Sequence, residues 1–394
     1  MTKGLCILGS TGSIGKNCLR VVGSLPGRFR VVALSAGKNL DTLTAQVVKH
    51  HPRIVVVSQP SFKTGLQDRL RAQGYRRRIK IAVGVEGQIE AATHDAVDFV
   101  VSASHGTTGL VATYQALRAG KQLGLANKET LVAAGELVMR AAAERGIHVL
   151  PIDSEHCAVH QCLRAGQCGE VKRILLTASG GPFLKTPLRL FDSVRPQQAL
   201  KHPIWSMGGR ITIDSATLVN KGLEIIEARW LFGLGPEQID VVIHPQSIVH
   251  SMVEFVDGSV MAQLGIPDMR IPIQYALTYP DRVGIAEKGL ELDLISAGQL
   301  RFEKPDTRRF PSLGLAREAL ARGGIMPCVL NAADEVAVEA FMGGRLKFSA
   351  IPRLIEAVMR QMDSHPAVRT MDDVLEGDRE ARSRATLAIP ALSV

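Results

Sequence analysis

The sequence predicts an α/β protein with a doubly wound N-terminal domain, an α+β middle domain and a C-terminal helical bundle. Three observations predict it. Short apolar strands alternate with amphipathic stretches over residues 1–150. From about residue 151 the pattern changes to strands and a hairpin signal, and after residue 305 apolar residues recur at helical spacing. Alternation of strands and helices is typical of a parallel sheet covered by helices.

The first domain is predicted over residues 1–150. Helical stretches, for example 40–49 and 110–119, separate its strands. The strand candidates are short apolar runs at residues 5–8, 30–35, 54–57, 79–83, 97–102, 122–125 and 148–150.

The middle domain is predicted over residues 151–280, with strands at 172–177 and 240–243 and a hairpin over 253–262 that turns at Asp257-Gly258. Within it, the segment 183–210 holds several prolines and the pair Gly208-Gly209. A segment so long and weakly patterned is either a functional lid or a disordered loop. Residues 281–304 read as a linker and 305–394 as a helical domain.

The composition is that of an ordinary globular protein, with a formal net charge of +9 and a pI near 9.4. This charge favours anionic ligands. Basic residues do not cluster with aromatic ones, and the run at 76–78 reads as a solvated helix end, so we expect no nucleic-acid partner. No apolar run approaches the ~20 residues of a membrane span, and no targeting segment is recognisable. We therefore expect a cytoplasmic protein without a membrane partner.

The six cysteines are scattered, which favours reduced, structural thiols. A metal site built from Cys157, Cys162 and Cys168 is the less favoured alternative.

A glycine-rich turn, Gly-Ser-Thr-Gly-Ser-Ile-Gly at residues 9–15, follows the first strand and begins a helix. Glycines there allow the backbone to approach a pyrophosphate at the helix N-terminus, which predicts a Rossmann-like dinucleotide-binding domain. A tight turn without a ligand is the alternative. After the second strand stands Lys38 instead of an acid, which favours the 2′-phosphate of NADP, although Asp41 lies close by.

The segment 205–224 carries the densest polar pattern. Read as a strand, a turn and a helix, it puts Thr217, Asn220, Lys221 and Glu224 at i, i+3, i+4 and i+7, on one helix face. Ser215 would cap or precede that helix. A hydroxyl, an amide and an ammonium beside a helix N-terminus suit a phosphate, and the carboxylate suits a divalent metal. A solvated helix face is the alternative.

Two further strand ends carry polar residues. Asp153-Ser154-Glu155-His156 follows one strand, and two hard carboxylates suit Mg²⁺ or Mn²⁺, although acidic residues also complement a helix N-terminus without any metal. Ser179-Gly180-Gly181 follows another strand and suits an anion, with a plain Gly-Pro loop as the alternative.

Taken together, these motifs resemble the 1-deoxy-D-xylulose 5-phosphate reductoisomerase family over nearly the whole chain. Their joint order and spacing carry the resemblance more than any single motif. Further matching segments are 36–39, 125–129, 201–203, 205–208, 244–250 and 331–335.

The resemblance implies a ketose-phosphate isomerisation followed by NADPH-dependent reduction to 2-C-methyl-D-erythritol 4-phosphate. It implies that Asp153, Glu155 and Glu224 hold Mn²⁺ or Mg²⁺. Ser154 would lie beside the substrate, and Ser179, Ser215, Asn220 and Lys221 would hold the phosphate. A flap would carry His202, Trp205 and Met207, with Trp205 covering the substrate, and His156 and His250 would be further active-site histidines. Cofactor contacts would come from Thr11, Gly12, Ser13, Ile14, Gly37, Lys38, Asn39, Asn127, Lys128, Glu129, Met207 and Gly208. We also expect a homodimer.

Two positions depart from the family pattern: Ile204 stands where asparagine is common, and Gly208-Gly209-Arg210 replaces Gly-Arg-Lys. Two other functions stay open at this point. A semialdehyde dehydrogenase on the same scaffold would need a nucleophile such as Cys157. A non-catalytic NADP-binding sensor would need neither the carboxylates nor the phosphate site.

Overall fold

The structure is a computed structural model of the 394-residue chain. It describes residues 2–104, 106–205, 207–284, 288–362 and 368–392. The predicted flap, linker and C-terminal domain each contain residues outside these ranges, namely Ser206, 285–287, 363–367 and 393–394. Among the described residues, no helix has both the length and the apolar character that crossing a bilayer requires.

The strands are β1 Lys3–Leu8, β2 Phe29–Ser35, β3 Ile54–Val57, β4 Lys80–Val83, β5 Phe99–Ser102, β6 Gln122–Leu125, β7 Val149–Pro151, β8 Val171–Ala178, β9 Ile239–Ile243, β10 Val249–Phe255 and β11 Val260–Leu264. The helices are α1 Ser13–Ser24, α2 Leu40–His50, α3 Pro60–Ala72, α4 Gly84–Thr93, α5 Leu110–Arg118, α6 Glu129–Glu144, α7 Ser154–Cys162, α8 Pro196–Ala199, α9 Gly209–Ala216, α10 Val219–Phe232, α11 Arg270–Thr278, α12 Leu294–Ala297, α13 Ser312–Arg322, α14 Met326–Met342, α15 Ala350–Gln361 and α16 Met371–Leu392.

The chain divides into two compact units. The first comprises Met1–Thr130, Val138–Asp153 and Asp268–Leu290. Its seven-stranded sheet has the order β4-β3-β2-β1-β5-β6-β7, and every neighbouring pair is parallel. The order reverses between β1 and β5, and the carboxyl ends of strands at such a point are where doubly wound sheets bind ligands. The predicted doubly wound, Rossmann-like fold is therefore confirmed.

One helix of the first unit comes from much later in the chain. Helix α11 packs on α1, and its side chains Ile273, Ala276 and Leu277 are fully buried in the core of the parallel sheet. The contiguous ranges predicted from sequence do not anticipate this return. It follows from the apolar face of α11, which the first unit buries.

The second unit comprises Leu131–Leu137, Ser154–Pro267 and Glu291–Val394. Its four-stranded sheet has the order β11-β10-β8-β9, in which β8 and β9 are parallel and the other pairs antiparallel. The hairpin between β10 and β11 turns at Gly258, which has a φ of +88°. The predicted mixed sheet and the Asp257-Gly258 turn are thus confirmed, because glycine adopts positive φ without a Cβ clash.

The C-terminal helices α13 to α16 pack on one another as a bundle, as predicted. Beside them lies an aromatic cluster in which the ring of Phe348 contacts Phe183, Phe191 and Phe341 at centroid distances of 5.0, 5.4 and 5.7 Å. Phe183 and Phe191 belong to the predicted flap segment. The first half of that segment is therefore held in the apolar core of the second unit.

The prediction of a strand in the segment 205–224 is wrong. Residues 211–213 lie in α9, and Leu218, with a φ of +59°, separates α9 from α10. The run Ile211-Thr212-Ile213 has strand propensity, but Thr212 and Ile213 are buried on one side of the helix, and tertiary packing outweighs propensity.

The predicted cap at Ser215 is wrong as well. Ser215 lies in the last turn of α9, and Thr217 follows that helix, where its hydroxyl donates to the carbonyl of Ile213 at 3.1 Å. The polar face on α10 consists of Asn220, Lys221 and Glu224, without Thr217.

Candidate active site

Two carboxylates of the second unit lie close together, one at the start of α7 and the other on α10. Glu155 lies in the first turn of α7, and Glu224 lies on α10 with no exposed surface. One oxygen of each lies within 4.8 Å of the other. Two hard oxygen ligands so close together suit a divalent cation. The segments predicted from sequence to carry a metal are therefore brought together here.

Lys221 bridges these two carboxylates. Its Nζ donates to Glu155 Oε1 at 2.9 Å and to Glu224 Oε2. Burial opposes a charge on this side chain, but Glu155 and Glu224 outweigh it and raise the pKa of the Lys221 ammonium. Asn220 Nδ2 donates to the other oxygen of Glu224 at 2.6 Å. Three neighbouring residues of α10 thus form one hydrogen-bonded group.

In the first unit, Asp153 follows β7 and forms an ion pair with Lys128 at 2.5 Å. Both side chains are nearly buried, with 13 % and 8 % exposed. Two predicted cofactor contacts flank Lys128 in the chain. Asn127 is buried and donates a hydrogen bond to the carbonyl of Gly106 at 2.9 Å, and Glu129 is the first residue of α6. Asp153 directly precedes Ser154, so its Cα lies about two peptide lengths, at most ~7.6 Å, from that of Glu155.

The turn after β8 carries Ser179, as predicted. Gly180 and Gly181 have φ values of +82° and +67°. A Cβ at Gly181 would lie 2.7 Å from the backbone oxygen of Ser215, so this turn packs closely against the end of α9. The structure therefore brings Ser179 and Ser215, two predicted phosphate contacts, into neighbouring turns.

His202 joins that turn to the predicted flap. Its Nδ1 accepts hydrogen bonds from the backbone N–H groups of Ile204 at 3.1 Å and Trp205 at 2.8 Å. A neutral imidazole has one proton, so Nε2 carries it and donates to Ser179 Oγ at 3.0 Å. Burial lowers the pKa of His202, although the Glu155 carboxylate opposes this, which favours the neutral ring at neutral pH.

Trp205 is half-buried, with its ring centroid 6.4 Å from that of His250 on β10. Burial lowers the pKa of His250, with the Glu155 charge acting against this. Met207 is half-buried, and Gly208 is exposed just before α9. The predicted flap residues His202 and Trp205 thus lie beside Ser179 and His250.

His156 occupies a different position from the other predicted histidines. Its ring has no exposed surface, Nε2 is 2.9 Å from the carbonyl oxygen of Glu224 and Nδ1 is 3.1 Å from Glu227 Oε2. With both ring nitrogens facing protein groups, His156 supports the backbone that carries Glu224. The ring is therefore held against α10 beside Glu224.

The glycine-rich turn of the first unit runs from β1 into α1. Gly9 has a φ of +84°, and a Cβ there would lie 2.3 Å from the carbonyl oxygen of Ala103. Gly12 precedes the first helical residue, Ser13, and no side chain caps this N-terminus. Thr11 and Ile14 are half-buried and Ser13 is exposed. A helix N-terminus without a side-chain cap, at the end of a parallel strand, suits a pyrophosphate.

The loop after β2 carries the other predicted cofactor contacts. Gly37 and Lys38 are exposed, and the Asn39 side chain caps α2 by accepting from the Thr42 N–H at 3.1 Å. Asp41, the nearby acid, forms an ion pair with Arg69 at 2.9 Å.

Three family models match the chain. The model described as 1-deoxy-D-xylulose 5-phosphate reductoisomerase matches residues 5–135, and that of its C-terminal domain matches residues 149–232. A third, the DXP reductoisomerase C-terminal domain, matches residues 264–384.

Relatives of the same name extend over nearly the full length. The 1-deoxy-D-xylulose 5-phosphate reductoisomerase of Symbiobacterium thermophilum is 51% identical over 388 residues, covering 98% of both chains. That of Nitrosomonas europaea is 49% identical over 390 residues, covering 98% of this chain and 93% of its own. The chain belongs to the 1-deoxy-D-xylulose 5-phosphate reductoisomerase family.

Solved reductoisomerase structures share the fold. A reductoisomerase in complex with NADPH, fosmidomycin and magnesium has a TM-score of 0.92 at 41% identity, with 99% of each chain covered. The enzyme from Zymomonas mobilis in complex with NADPH has a TM-score of 0.91 at 40% identity, with 100% of each chain covered. The semialdehyde dehydrogenase alternative is not favoured. The thiol of Cys157 that it would need is buried on α7, with 1 % of the residue exposed.

Reasoning from the sequence missed the hydrogen bonds that hold the end of the segment 183–210. Arg210, at the start of α9, donates to Glu335 at 2.8 Å, Asn331 at 2.9 Å and Asp334 at 3.1 Å, all on α14. Burial raises the pKa of Asp334 to about 6, against the effect of Arg210. The signal was present, because Asn331, Asp334 and Glu335 lie at i, i+3 and i+4 on one helix face.

Proposed function

We propose that this chain converts 1-deoxy-D-xylulose 5-phosphate to 2-C-methyl-D-erythritol 4-phosphate, in non-mevalonate isoprenoid precursor biosynthesis. The reaction isomerises the ketose phosphate and reduces the resulting aldehyde with NADPH, and it depends on Mn²⁺ or Mg²⁺. The observation that carries the proposal is the 51% identity to a reductoisomerase over 98% of both chains. The solved relative with NADPH, fosmidomycin and magnesium supports the cofactors.

Asp153, Glu155 and Glu224 would hold the metal. The fit rests on the donor set: two carboxylates of the second unit share one small volume, and a third lies two residues before Glu155. When bound, a divalent cation supplies an electrophile for the substrate carbonyl, worth several kcal/mol of charge stabilisation. His156 and Glu227 support the α10 backbone and keep the Glu224 carboxylate in position.

Ser179, Ser215, Asn220 and Lys221 would bind the phosphate, with Ser154 next to the sugar. The proximity of the Ser179 turn to the end of α9 supports this assignment. Ser179 Oγ accepts hydrogen bonds from His202 Nε2 and from the Gly181 N–H, so its own proton points elsewhere and is available to an anion. His202 would thus orient the hydroxyl that meets the phosphate, and His250 would line the site below Trp205.

The segment 183–210 would act as a flap over the substrate. Its first half is anchored by Phe183 and Phe191, and its end by Arg210, so motion concentrates around His202 and Trp205. A closed flap excludes water and retains the aldehyde until reduction.

We expect Trp205→Ala to lower kcat/KM by about two orders of magnitude, because flap contacts that form only over bound substrate would be lost. The melting temperature should change little, since the ring is only half-buried. Steady-state kinetics and thermal unfolding measure the two effects. Native-like kcat/KM, or cleavage of this segment by a protease at the same rate with and without a substrate analogue, would refute the flap.

NADPH would bind at the glycine-rich turn, with contacts from Thr11, Gly12, Ser13, Ile14, Gly37, Lys38 and Asn39 and further contacts from Asn127, Lys128, Glu129, Met207 and Gly208.

Lys38→Asp should weaken NADPH binding by about one to two orders of magnitude, because one charge-assisted contact is replaced by repulsion. NADH should be affected much less. Fluorescence titration of both nucleotides decides this, and equal losses would show that Lys38 does not contact the 2′-phosphate.

The proposed function is tested by identifying the product. Incubation with 1-deoxy-D-xylulose 5-phosphate, NADPH and Mn²⁺ should yield 2-C-methyl-D-erythritol 4-phosphate, visible by NMR. A protein that binds NADPH but forms no product from any ketose phosphate would be a sensor instead.

We further propose that the enzyme works as a cytoplasmic homodimer. Five of the six cysteines are buried, which supports a reducing compartment.

A further inference from the structure

Four carboxylate oxygens at the proposed metal site are already occupied by donors from the chain itself. Ser154 Oγ donates to Glu155 Oε2 at 2.6 Å, and Lys221 Nζ donates to Glu155 Oε1 at 2.9 Å. Asn220 Nδ2 donates to Glu224 Oε1 at 2.6 Å, and Lys221 Nζ donates to Glu224 Oε2. No oxygen of either carboxylate could ligate a cation without losing or sharing one of these bonds.

These donors are the same side chains that would bind the substrate. Lys221 and Asn220 would contact the phosphate, and Ser154 would lie beside the sugar. An ammonium between two carboxylates neutralises part of their charge, as a metal would. With Lys221 3 % exposed and Glu224 fully buried, the cost of removing either partner alone is high.

We propose that the divalent cation and the substrate phosphate bind with positive coupling, because Lys221 and Asn220 exchange Glu224 for the phosphate when the cation arrives. The cation takes the carboxylate oxygens and releases the ammonium and the amide. The released groups then lack an anion, and the phosphate provides one. Without metal, the phosphate must compete with Glu155 and Glu224 for Lys221, so it binds weakly.

The coupling is reciprocal by thermodynamic necessity. A phosphate that draws Lys221 away from the carboxylates must raise metal affinity by the same factor by which the metal raises phosphate affinity. This inference rests on the proposed function for its site residues, but it concerns binding alone and requires neither NADPH nor turnover.

The test measures Mn²⁺ binding by calorimetry or electron paramagnetic resonance, with methyl phosphate as the probe for the phosphate site. In the native enzyme, methyl phosphate should tighten Mn²⁺ binding by about tenfold, within the usual range of coupling between sites. Lys221→Met should bind Mn²⁺ at least about tenfold more tightly than the native enzyme without phosphate, because the competing charge is gone. Methyl phosphate should then tighten Mn²⁺ binding much less than in the native enzyme, because only Asn220 can still exchange Glu224 for the phosphate.

Two further variants separate this exchange from a general charge effect. Lys221→Arg keeps a cation between the carboxylates and should retain weak Mn²⁺ binding. Lys172→Met also removes one positive charge from the second unit, but Lys172 pairs with Glu254 on the sheet, so its Mn²⁺ affinity should match that of the native enzyme.

The proposal is overturned if methyl phosphate leaves the native Mn²⁺ affinity unchanged, or if Lys221→Met keeps the full coupling, since the phosphate would then ligate the metal directly. If Lys221→Met does not fold, the native enzyme still tests the proposal, because methyl phosphate must tighten its Mn²⁺ binding. Coupling without product formation would contradict the proposed function while leaving the exchange intact.

Discussion

Glu155→Gln is expected to reduce Mn²⁺- or Mg²⁺-dependent turnover by at least about a thousandfold, because an amide cannot replace the charge of a metal ligand and the lost electrophile is worth several kcal/mol. Glutamine has nearly the same shape, and it can still accept the hydrogen bond from Lys221, so the fold should persist. Turnover at saturating substrate, Mn²⁺ affinity and the melting temperature are the measurements.

Glu237→Gln is the matched control for this variant, because it replaces the same carboxylate by the same amide at an exposed position of the second unit. It should leave turnover and Mn²⁺ affinity unchanged. Near-native activity and metal affinity in Glu155→Gln would show that Glu155 is not a metal ligand. The assignment of Asp153, Glu155 and Glu224 as the metal site would then be wrong.

Lys221→Ala should raise the KM for 1-deoxy-D-xylulose 5-phosphate by about ten- to a hundredfold, since a hydrogen bond to a charged group is worth ~1.5–3 kcal/mol. The loss in kcat/KM should be greater if phosphate binding also drives closure of the flap. The native enzyme should turn over dephosphorylated 1-deoxy-D-xylulose very poorly, and the variant should discriminate far less between the two sugars.

Kinetics with both sugars, at a Mn²⁺ concentration that saturates each protein, provide the measurement. Saturating metal matters, because the variant leaves Glu155 and Glu224 without their ammonium partner. If the native enzyme used both sugars equally well, the polar face of α10 would have no part in phosphate recognition.

The sequence predicts those parts of the fold that local patterns determine. The strands of the parallel sheet and the β10–β11 hairpin follow from apolar runs and turn residues, and Glu155 and Ser179 follow from their places at strand ends. The prediction of the doubly wound fold therefore succeeds from alternation alone. The assignments of the metal ligands and of the phosphate contacts depend on the joint order of several motifs. That order identifies a family, whereas no single residue identifies its own role.

What the sequence could not predict depends on contacts between distant segments. The return of α11 to the first unit is decided by which core buries Ile273 and Leu277. Residues 211–213 adopt the helix α9 despite their strand propensity, because the helix buries Ile213. The position of His156 behind Glu224, and the attachment of Arg210 to α14, likewise require the three-dimensional structure, because these partners lie 68 and more than 120 residues apart.

The metal-binding carboxylates and the phosphate-binding residues of this chain would serve one metal- and NADPH-dependent reaction. The measurement that tests this is NADPH oxidation at saturating 1-deoxy-D-xylulose 5-phosphate, before and after removal of metal with a chelator. We predict one NADPH oxidised per substrate consumed, loss of the reaction with chelator, and recovery on adding Mn²⁺ or Mg²⁺ in excess. Undiminished oxidation in the metal-depleted protein, or no substrate-dependent oxidation with metal present, would contradict the account.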